Sequence, residues 1–318
     1  MCTTTDNPDG GSNYYPNTYC NGRVWIQVLA QRLGITYSAS KNVSYFYHLS
    51  SEVVTNMIGF APSDASNSLF VVWVNDADFV QDMDKIYPSL DLATWNSAIS
   101  TSLANHQTVV QSLYAKGART VVMPTVVDIT KTPQYSGMTS SEKAFIRGRI
   151  AYFNTNMVTM LAQVKAAHPD LTICVPDFFA LLDDMAASPA VYGFTNVTSY
   201  AIVNGSTPLN GPRAGYLWWD PWDPTAMAHE IMGDTVHQML APVRINEVTW
   251  LDSSNRLDLV NVPIGLGGYV QGRTNLVLGS WSAVASFSST NTAQAVYVPV
   301  SGQHQFYRLK FPFVWSWP

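Results

Sequence analysis

Charged side chains are scarce in this sequence. Only 12% of its 318 residues are Asp, Glu, Lys or Arg, about half of the ~25% that is usual for soluble domains. Lys and Arg number 17 against 22 Asp and Glu, which gives a net charge of -5, and no basic stretch is present to neutralise a phosphate backbone. The composition therefore excludes a nucleic-acid partner, whereas the hydrophobic content of 47% predicts a folded chain with a sizeable core.

Long apolar runs are also missing. No run approaches the ~18 to 20 apolar residues needed to cross a bilayer, so the sequence predicts no membrane span. The start MCTTTDNPDGGSNYY has neither the basic nor the apolar region of a signal peptide. A surface with little charge and many uncharged polar groups is typical of secreted or periplasmic proteins, so we expect that location for the full-length protein, with a leader that this chain lacks.

Cysteine is rare, with three residues in all. Cys2 and Cys20 bracket a polar loop and could either form a disulfide or remain unpaired, whereas Cys174 lies in the apolar run LTICVP and is predicted to be a buried thiol. No Cys-x-x-Cys motif or Cys/His ligand spacing indicates zinc. The acidic run at residues 76–84 suggests a calcium loop but lacks the Gly and the final Glu of an EF-hand. We predict no metal and no cofactor.

The first two thirds of the chain alternate apolar runs with helical patterns, which predicts a parallel sheet with helices on both faces. Thr139 and Glu142 form a capping box before a long amphipathic helix that ends at His168, before Pro169. The predicted strands cover residues 69–74, 119–124 and 171–175, and the predicted helices cover residues 23–34, 93–116, 139–168 and 225–240.

The pattern changes after Pro242, where short β-runs separated by Gly, Ser, Asn and Asp turns replace the helical periodicity. We therefore divide the chain into an α/β domain over residues 1–242 and a small accessory domain over residues 243–318. The accessory domain is predicted to be all-β and similar to a β-sandwich.

Acidic and amide side chains follow the predicted strands at their carboxyl ends. Residues 75–78 read Asn-Asp-Ala-Asp, residues 125–128 end in Asp128, and Asp177 follows the third strand. The motif WWDPWDPTAMAH precedes the last predicted helix of the α/β domain. Because ligands bind outside the carboxyl ends of parallel strands, these groups are predicted to line one functional rim.

The order of these features resembles the SGNH (GDSL-type) hydrolases, particularly bacterial members with an extra C-terminal β domain. The resemblance covers about residues 1–242 and is carried by NGRVWIQVLAQRLG, LFVVWVNDADF, GARTVVMPTVVDITKTPQY and WDPWDPTAMAH. It implies a flavodoxin-like three-layer α/β/α sandwich. It also implies a Ser after the first strand that attacks an ester, backbone and Asn donors for the oxyanion, and an Asp-x-x-His pair before the last helix.

The family's blocks are altered in this chain. The first strand and its Gly-Asp-Ser turn should precede MCTTTDNPDGG, so no residue matches the nucleophile, and the segment NVSYFYHLSS has no Gly for the second block. The third block, Gly-x-Asn-Asp, aligned on Trp73, falls on residues 75–78, so its Asn is either displaced to Asn75 or missing. Asp-x-x-His becomes Asp220-Pro221-Trp222-Asp223.

In the family the missing first strand is central, so its loss would leave two rows of backbone groups unpaired at about 1 to 3 kcal/mol each. We therefore expect a fold that lacks its first central strand within this chain. Either the chain is a shortened version of a longer protein, with Met1 an internal methionine, or another segment fills the gap. The first alternative is favoured, because it also explains the absent signal peptide.

The candidate catalytic residues are Asp220, Asp223, Asn75 and His229. Asp223 takes the position of the base, but a free Asp titrates near ~3.9 against ~6.5 for His. It needs burial or a like charge to raise its pKa, and Asp220 could supply that charge. The alternative is that both carboxylates cap the helix that starts near Thr225.

Two histidines and four aromatic residues complete the candidate site. In the family, a His at the position of His229 is a packing residue, and here it is also considered as a substitute base, with His48 the next candidate. The aromatic residues near the carboxylates could stack on a sugar or an aryl ester, although core packing is the commoner role of Trp. They are Tyr216, Trp218, Trp219 and Trp222.

The resemblance implies a carboxylic ester hydrolase acting on acyl groups of a carbohydrate or lipid. We expect its nucleophile just upstream of Met1 in the complete gene product, and little or no esterase activity from the present chain. The alternative is a non-catalytic relative that binds a polysaccharide with help from the β domain. The expected partner is thus a small-molecule or polysaccharide ester, and the oligomeric state stays open.

Overall fold

The computed structural model describes residues 13–45, 47–203, 207–300 and 306–312. These residues form two compact units. The first contains the described residues up to Gly22 together with Asn42–Thr225, and the second contains Arg23–Lys41 together with the described residues from Ala226 onward. The division predicted at residue 242 stays a prediction.

Helices and strands alternate through the first two thirds of the chain and give way to strands after it. In the described residues the α-helices are α1 (Trp25–Arg32), α2 (Ser50–Asn56), α3 (Asn75–Lys85), α4 (Leu92–Ala115), α5 (Ser140–Ala167), α6 (Phe178–Ala187) and α7 (Ala226–Leu240). The strands are β1 (Leu69–Val71), β2 (Thr120–Val122), β3 (Thr172–Cys174), β4 (Asn196–Tyr200), β5 (Tyr216–Trp218), β6 (Arg244–Trp250), β7 (Ser254–Val260), β8 (Gly267–Arg273), β9 (Ser282–Ser288), β10 (Ala293–Pro299) and β11 (Phe306–Lys310).

The first unit contains a parallel sheet in the order β1-β2-β3, with Leu69 opposite Thr120 and Thr120 opposite Thr172. Each of the three strands lies within a segment predicted from the sequence, so the α/β class with a parallel sheet is confirmed. Cys174 ends β3 and is a buried free thiol, as predicted. In the described part of the chain β1 forms the edge of this sheet. The proposed loss of a central strand beside it stays a prediction.

Helix starts in this unit follow local capping chemistry. At α5, the Glu142 carboxylate accepts a hydrogen bond of 2.7 Å from the backbone N–H of Thr139, and the Thr139 hydroxyl accepts one of 3.3 Å from the N–H of Glu142. The predicted capping box is therefore confirmed. Asp91 starts α4 in a similar way, since its Oδ2 accepts a bond of 2.9 Å from the N–H of Thr94.

The calcium loop considered for residues 76–84 is absent, because these residues lie within helix α3. Its buried residues are Asn75, Phe79 and Met83, which recur every four positions and so share one face. Four acidic side chains lie among the other positions of the helix, and they obscure this short buried face in the sequence.

The second unit combines α1 and α7 with two antiparallel sheets, in the orders β10-β7-β6 and β11-β8-β9. The strands predicted after residue 242 are therefore present, and the structure shows that they pair antiparallel. Leu257 and Leu259 from one sheet and Val270 from the other lie in a common buried core. The two helices are in close contact, because a Cβ atom added at Gly233 of α7 would lie 2.9 Å from the backbone oxygen of Trp25 in α1.

Candidate active site

The loops after the three parallel strands are connected by hydrogen bonds at the carboxyl edge of the sheet. The backbone N–H of Val127 donates a bond of 3.2 Å to Oδ1 of Asp76, which connects the loop after β2 to the start of α3. The hydroxyl of Thr125 donates one of 3.2 Å to Oδ1 of Asp177, which begins α6. Hydrogen bonds thus connect neighbouring loops of the predicted rim. The carboxylate of Asp177 also caps helix α6, because it accepts a hydrogen bond from the backbone N–H of Ala180.

Asp76 is the acidic group of this rim whose protonation is most altered. Asp76 as a whole retains some exposed surface, but its carboxyl group is desolvated by the surrounding protein. This desolvation is the main reason that its pKa is raised to about 7, and the negative charge of Asp223 contributes in the same direction. The interaction places the carboxyls of Asp76 and Asp223 within electrostatic range of each other. Near neutral pH, Asp76 is therefore present both as an acid and as a carboxylate.

Asp220 organises the turn that leads to Asp223. Its Oδ1 accepts hydrogen bonds of 2.8 Å and 2.7 Å from the backbone N–H groups of Trp222 and Asp223, and its Oδ2 accepts one of 3.0 Å from the hydroxyl of Tyr14. These amides belong to the turn itself. These bonds give Asp220 a role within the turn, and the alternative that both carboxylates cap the helix after Thr225 stays a prediction.

The two carboxylates of the turn are both buried and electrostatically coupled. Asp220 is 7% exposed and Asp223 is 6% exposed. The pKa of Asp220 is raised to about 7, first by burial and then by the charge of Asp223, while the bonds from the two amides and Tyr14 act in the opposite direction. The expected like-charge interaction therefore contributes to the raised pKa of Asp220.

Tyr14 and Cys20 were not identified as site residues from the sequence. Cys20 is a buried free thiol whose pKa is raised by burial and then by the nearby charges of Asp223 and Asp220. Cys2, its suggested disulfide partner, lies outside the described residues. No local sequence pattern indicates that Tyr14 contacts a carboxylate 206 positions away. The only available signal was that the nearby NGRVW segment resembles the family's sequences.

The Trp residues of the motif divide into two groups. Trp218 and Trp219 are buried, and their indole N–H groups donate to the backbone oxygens of Val197 at 3.0 Å and Asn13 at 2.9 Å, so core packing is their role. Trp222 is half-buried and packs edge to face with Tyr135, with ring centroids 5.2 Å apart. Only Trp222 of these three retains surface for a ligand ring.

Asn75 is 1% exposed, and its amide group faces protein atoms. Its Nδ2 donates a hydrogen bond of 2.9 Å to the backbone oxygen of Pro124. Its Oδ1 is buried and has no hydrogen-bond partner among the described residues. The donor that an oxyanion would require is therefore already engaged in this structure, and the assignment of Asn75 to the oxyanion stays a prediction.

His229 lies on α7 in the second unit and is 1% exposed. Burial lowers its pKa to about 3, and its Nδ1 has no hydrogen-bond partner among the described residues. The ring is therefore neutral at physiological pH and binds a proton weakly. His48 stacks on Tyr45, with ring centroids 3.9 Å apart, and burial lowers its pKa as well. Neither environment favours a general base that titrates near neutral pH.

The described residues contain neither a metal-binding cluster nor a membrane-spanning helix. Across residues 13–45, 47–203, 207–300 and 306–312, no group of three His, Cys, Asp or Glu side chains is arranged to hold a metal ion. Within the same ranges, every helix is too short or too polar to span a bilayer. The rim and the turn contain several carboxyl groups, and two of these, Asp76 and Asp220, have a pKa of about 7.

The class of protein follows from a comparison with known families. The family model described as GDSL-like Lipase/Acylhydrolase matches residues 4–236. The chain therefore belongs to this family, in agreement with its α/β fold and its parallel sheet. Membership of the family suggests ester hydrolysis.

Individual relatives are distant. A GDSL esterase/lipase of Arabidopsis thaliana is 27% identical over 143 residues, which is 40% of this chain and 39% of the relative. A thermolabile hemolysin of Vibrio parahaemolyticus is 22% identical over 158 residues, which is 45% of this chain and 37% of the relative. The chain thus spans less than half the length of these two curated relatives.

A solved structure of a gut microbial diltiazem-metabolizing enzyme shares 11% identity with this chain, with a TM-score of 0.39, over 86% of this chain and 58% of the other. A similarity of this size supports no inference about the site or the substrate.

Proposed function

We propose that this chain belongs to a carboxylic ester hydrolase that acts on acyl groups of a carbohydrate or a lipid. The observation that carries the proposal is the grouping of Asp76, Asp220 and Asp223 beside the carboxyl ends of the parallel strands, where α/β proteins bind their ligands. The family suggests the reaction type, and the substrate class is part of the proposal. A secreted or periplasmic location of the full-length protein is also part of the proposal, and the low content of charged residues supports it.

The proposed mechanism gives each carboxyl group a separate task. Asp223 occupies the position of the base in the Asp-x-x-His motif, and it accepts the proton of the attacking hydroxyl. Asp220 fixes the backbone of the turn through its bonds to Trp222 and Asp223. Asp76, with a pKa of about 7, can donate a proton to the leaving alkoxide near neutral pH. The proposal assigns the nucleophile to none of the described residues.

A second candidate is a non-catalytic relative that binds a polysaccharide. Two observations favour it. The family's basic His is replaced by Asp223, and the half-buried ring of Trp222 packs against Tyr135 beside the carboxylates. An aromatic face next to hydrogen-bonding carboxyl groups is a common arrangement for binding a sugar ring.

Hydrolysis of p-nitrophenyl acetate by the full-length gene product tests the proposal. We expect turnover that falls by at least about 100-fold in Asp223→Ala and in Asp223→Asn, because proton transfer by a positioned side chain contributes about 10² to 10⁴. Asp170→Asn is the matched control, since Asp170 forms an exposed ion pair of 2.7 Å with Arg119. This control should retain full activity.

One outcome contradicts the role of Asp223, and another contradicts the ester hydrolase. Turnover that survives Asp223→Ala would show that Asp223 takes no part in proton transfer. Absence of turnover together with binding to immobilised polysaccharide, lost in Trp222→Ala, would support the binding protein instead.

A further inference from the structure

The hairpin between β8 and β9 in the second unit exposes three consecutive aliphatic residues. Leu276 is 57% exposed, Val277 is 87% exposed and Leu278 is 70% exposed. Scattered single apolar residues are normal on a protein surface, but a contiguous exposed group indicates an interaction site. We call residues 275–278 the hairpin tip.

The hairpin tip is held in a defined conformation. Oδ1 of Asn275 accepts hydrogen bonds of 2.8 Å and 3.0 Å from the backbone N–H groups of Val277 and Leu278. The guanidinium of Arg273 donates a bond of 2.9 Å to the backbone oxygen of Leu278. These bonds keep the backbone turned so that the aliphatic side chains remain in solvent and add nothing to the core.

Basic and aromatic residues lie along the outer face of the sheet β11-β8-β9, and Arg273 connects this face with the tip. The guanidinium carbons of Arg273 and Arg308 lie 5.3 Å and 4.5 Å from the ring centroid of Trp281. Phe306 is the cross-strand partner of Arg273, and Lys310 is the partner of Tyr269. Tyr269 is 41% exposed and Phe306 is 38% exposed. We call these six residues the basic aromatic face.

The charge of this part of the chain differs from the rest. The whole chain has a net charge of -5, yet no Asp or Glu follows Asp258 in the sequence, whereas Arg273, Arg308 and Lys310 do. In the described part of the chain, neither Arg273 nor Arg308 forms a salt bridge. By contrast, Arg256 of the neighbouring sheet is paired with Asp258. The positive charge of Arg273 and Arg308 is thus free to attract an external anion.

We propose that the hairpin tip and the basic aromatic face form a docking surface for an anionic lipid bilayer. Aliphatic side chains on a rigid turn can enter the boundary between headgroups and acyl chains, where Trp and Tyr rings are also favoured. Arginine and lysine beside them are attracted to anionic headgroups. A lipid surface is the partner that offers both an apolar layer and negative charge. The proposal does not depend on the hydrolytic reaction.

Sedimentation of the full chain with sucrose-loaded vesicles tests this proposal. We expect binding to phosphatidylcholine vesicles that contain about one third phosphatidylglycerol, and weaker binding to phosphatidylcholine alone. The double variant Val277→Ser/Leu278→Ser should lower the partition coefficient on both kinds of vesicle by about tenfold. Arg308→Gln should lower it by about fivefold on the anionic vesicles only.

Ile58→Ser provides the matched control, because Ile58 is 84% exposed but lies in the first unit. Its binding should equal that of the unchanged chain. The thermal midpoint of each variant, followed by circular dichroism, confirms that these surface substitutions leave the fold intact.

Two results would overturn the proposal. The first is equal partitioning of the double variant and the unchanged chain, or no binding to either vesicle. The second is a concentration-dependent self-association in ultracentrifugation that the double variant abolishes while vesicle binding is absent. That result would assign the hairpin tip to a contact with a second copy of the chain.

Discussion

The phenol of Tyr14 donates a hydrogen bond of 3.0 Å to Oδ2 of Asp220, although the two residues lie 206 positions apart. The bond ties an N-terminal segment to the turn that presents Asp223. It favours the ionised form of Asp220 and so opposes the effects of burial and of the charge of Asp223, which together raise the pKa of Asp220 to about 7.

Removal of this hydroxyl should therefore raise the pKa of Asp220 further. We expect Tyr14→Phe to shift the carboxyl titration upward in carbon-detected NMR and to lower the free energy of unfolding by about 1 to 3 kcal/mol, since the bond joins a donor to a buried charged group. Tyr200→Phe is the control, because Tyr200 is 42% exposed, and its effect should stay within about 0.5 kcal/mol. An unchanged titration of Asp220 would contradict the assignment.

Asp76 makes stability depend on pH in an unusual direction. Its pKa rises from 3.8 in the unfolded chain to about 7 in the fold, so between these values the folded state binds more protons. Stability from this group is present at low pH and falls as pH rises, by about 1.4 kcal/mol per pH unit. Buried His229, with its pKa lowered to about 3, acts in the opposite direction between about 3 and 6.5.

A comparison with Asp76→Asn isolates this effect, because the amide mimics the protonated acid. Urea unfolding at several pH values should show the variant gaining stability relative to the unchanged chain from about pH 4 to pH 7. Asp252→Asn, which removes an exposed carboxylate, should show no such trend. A constant difference between Asp76→Asn and the unchanged chain would mean that the carboxyl of Asp76 is not desolvated.

Arg32 forms the most deeply buried ion pair of the second unit. Its guanidinium lies 2.7 Å from Glu230 and 2.6 Å from Asp234, and its side chain is 1% exposed. Arg32→Met should destabilise the protein by about 3 to 5 kcal/mol, because it leaves the buried carboxylate of Glu230 and the partly buried one of Asp234 without this counter-charge. Arg256→Met is the matched control.

Arg256 pairs with Asp258 at 2.8 Å, but its side chain is 46% exposed, so its removal should cost at most about 1 kcal/mol. Addition of Glu230→Gln to Arg32→Met should recover part of the loss. Equal costs for the two arginine substitutions in chemical denaturation would show that burial of the Arg32 pair has no energetic consequence.

Substitution of glycine by alanine should have opposite effects on stability at two positions, Gly233 and Gly148. A Cβ at Gly233 in α7 would lie 2.9 Å from the backbone oxygen of Trp25 and from Val28, so Gly233→Ala should cost about 1 to 3 kcal/mol. A Cβ at Gly148 in α5 meets nothing within 4 Å. Gly148→Ala should instead stabilise the protein by about 0.5 to 1 kcal/mol through helix propensity. Thermal unfolding distinguishes the two, and stabilisation by Gly233→Ala would contradict the close packing of α1 and α7.

The sequence-based interpretation succeeded where the signal is local. The three parallel strands were predicted from continuous apolar runs, and α5 was predicted from the capping box of Thr139 and Glu142, because these signals lie within a few residues of one another. Helix α3 was missed, since its buried face contains only two apolar residues, Phe79 and Met83, beside the polar Asn75, and acidic residues lie between them.

Family membership, the alternation of strands and helices, and the position of Asp220 and Asp223 shortly before a helix can all be read from the amino-acid sequence. The bonds of Asp220 to its own turn and to Tyr14, and the proximity of Asp76 to Asp223, emerge only when the chain is folded. The raised pKa values of Asp76 and Asp220 likewise depend on the folded environment. Desolvation and charge coupling depend on which distant segments surround a carboxyl group, and no local pattern in a sequence records that enclosure.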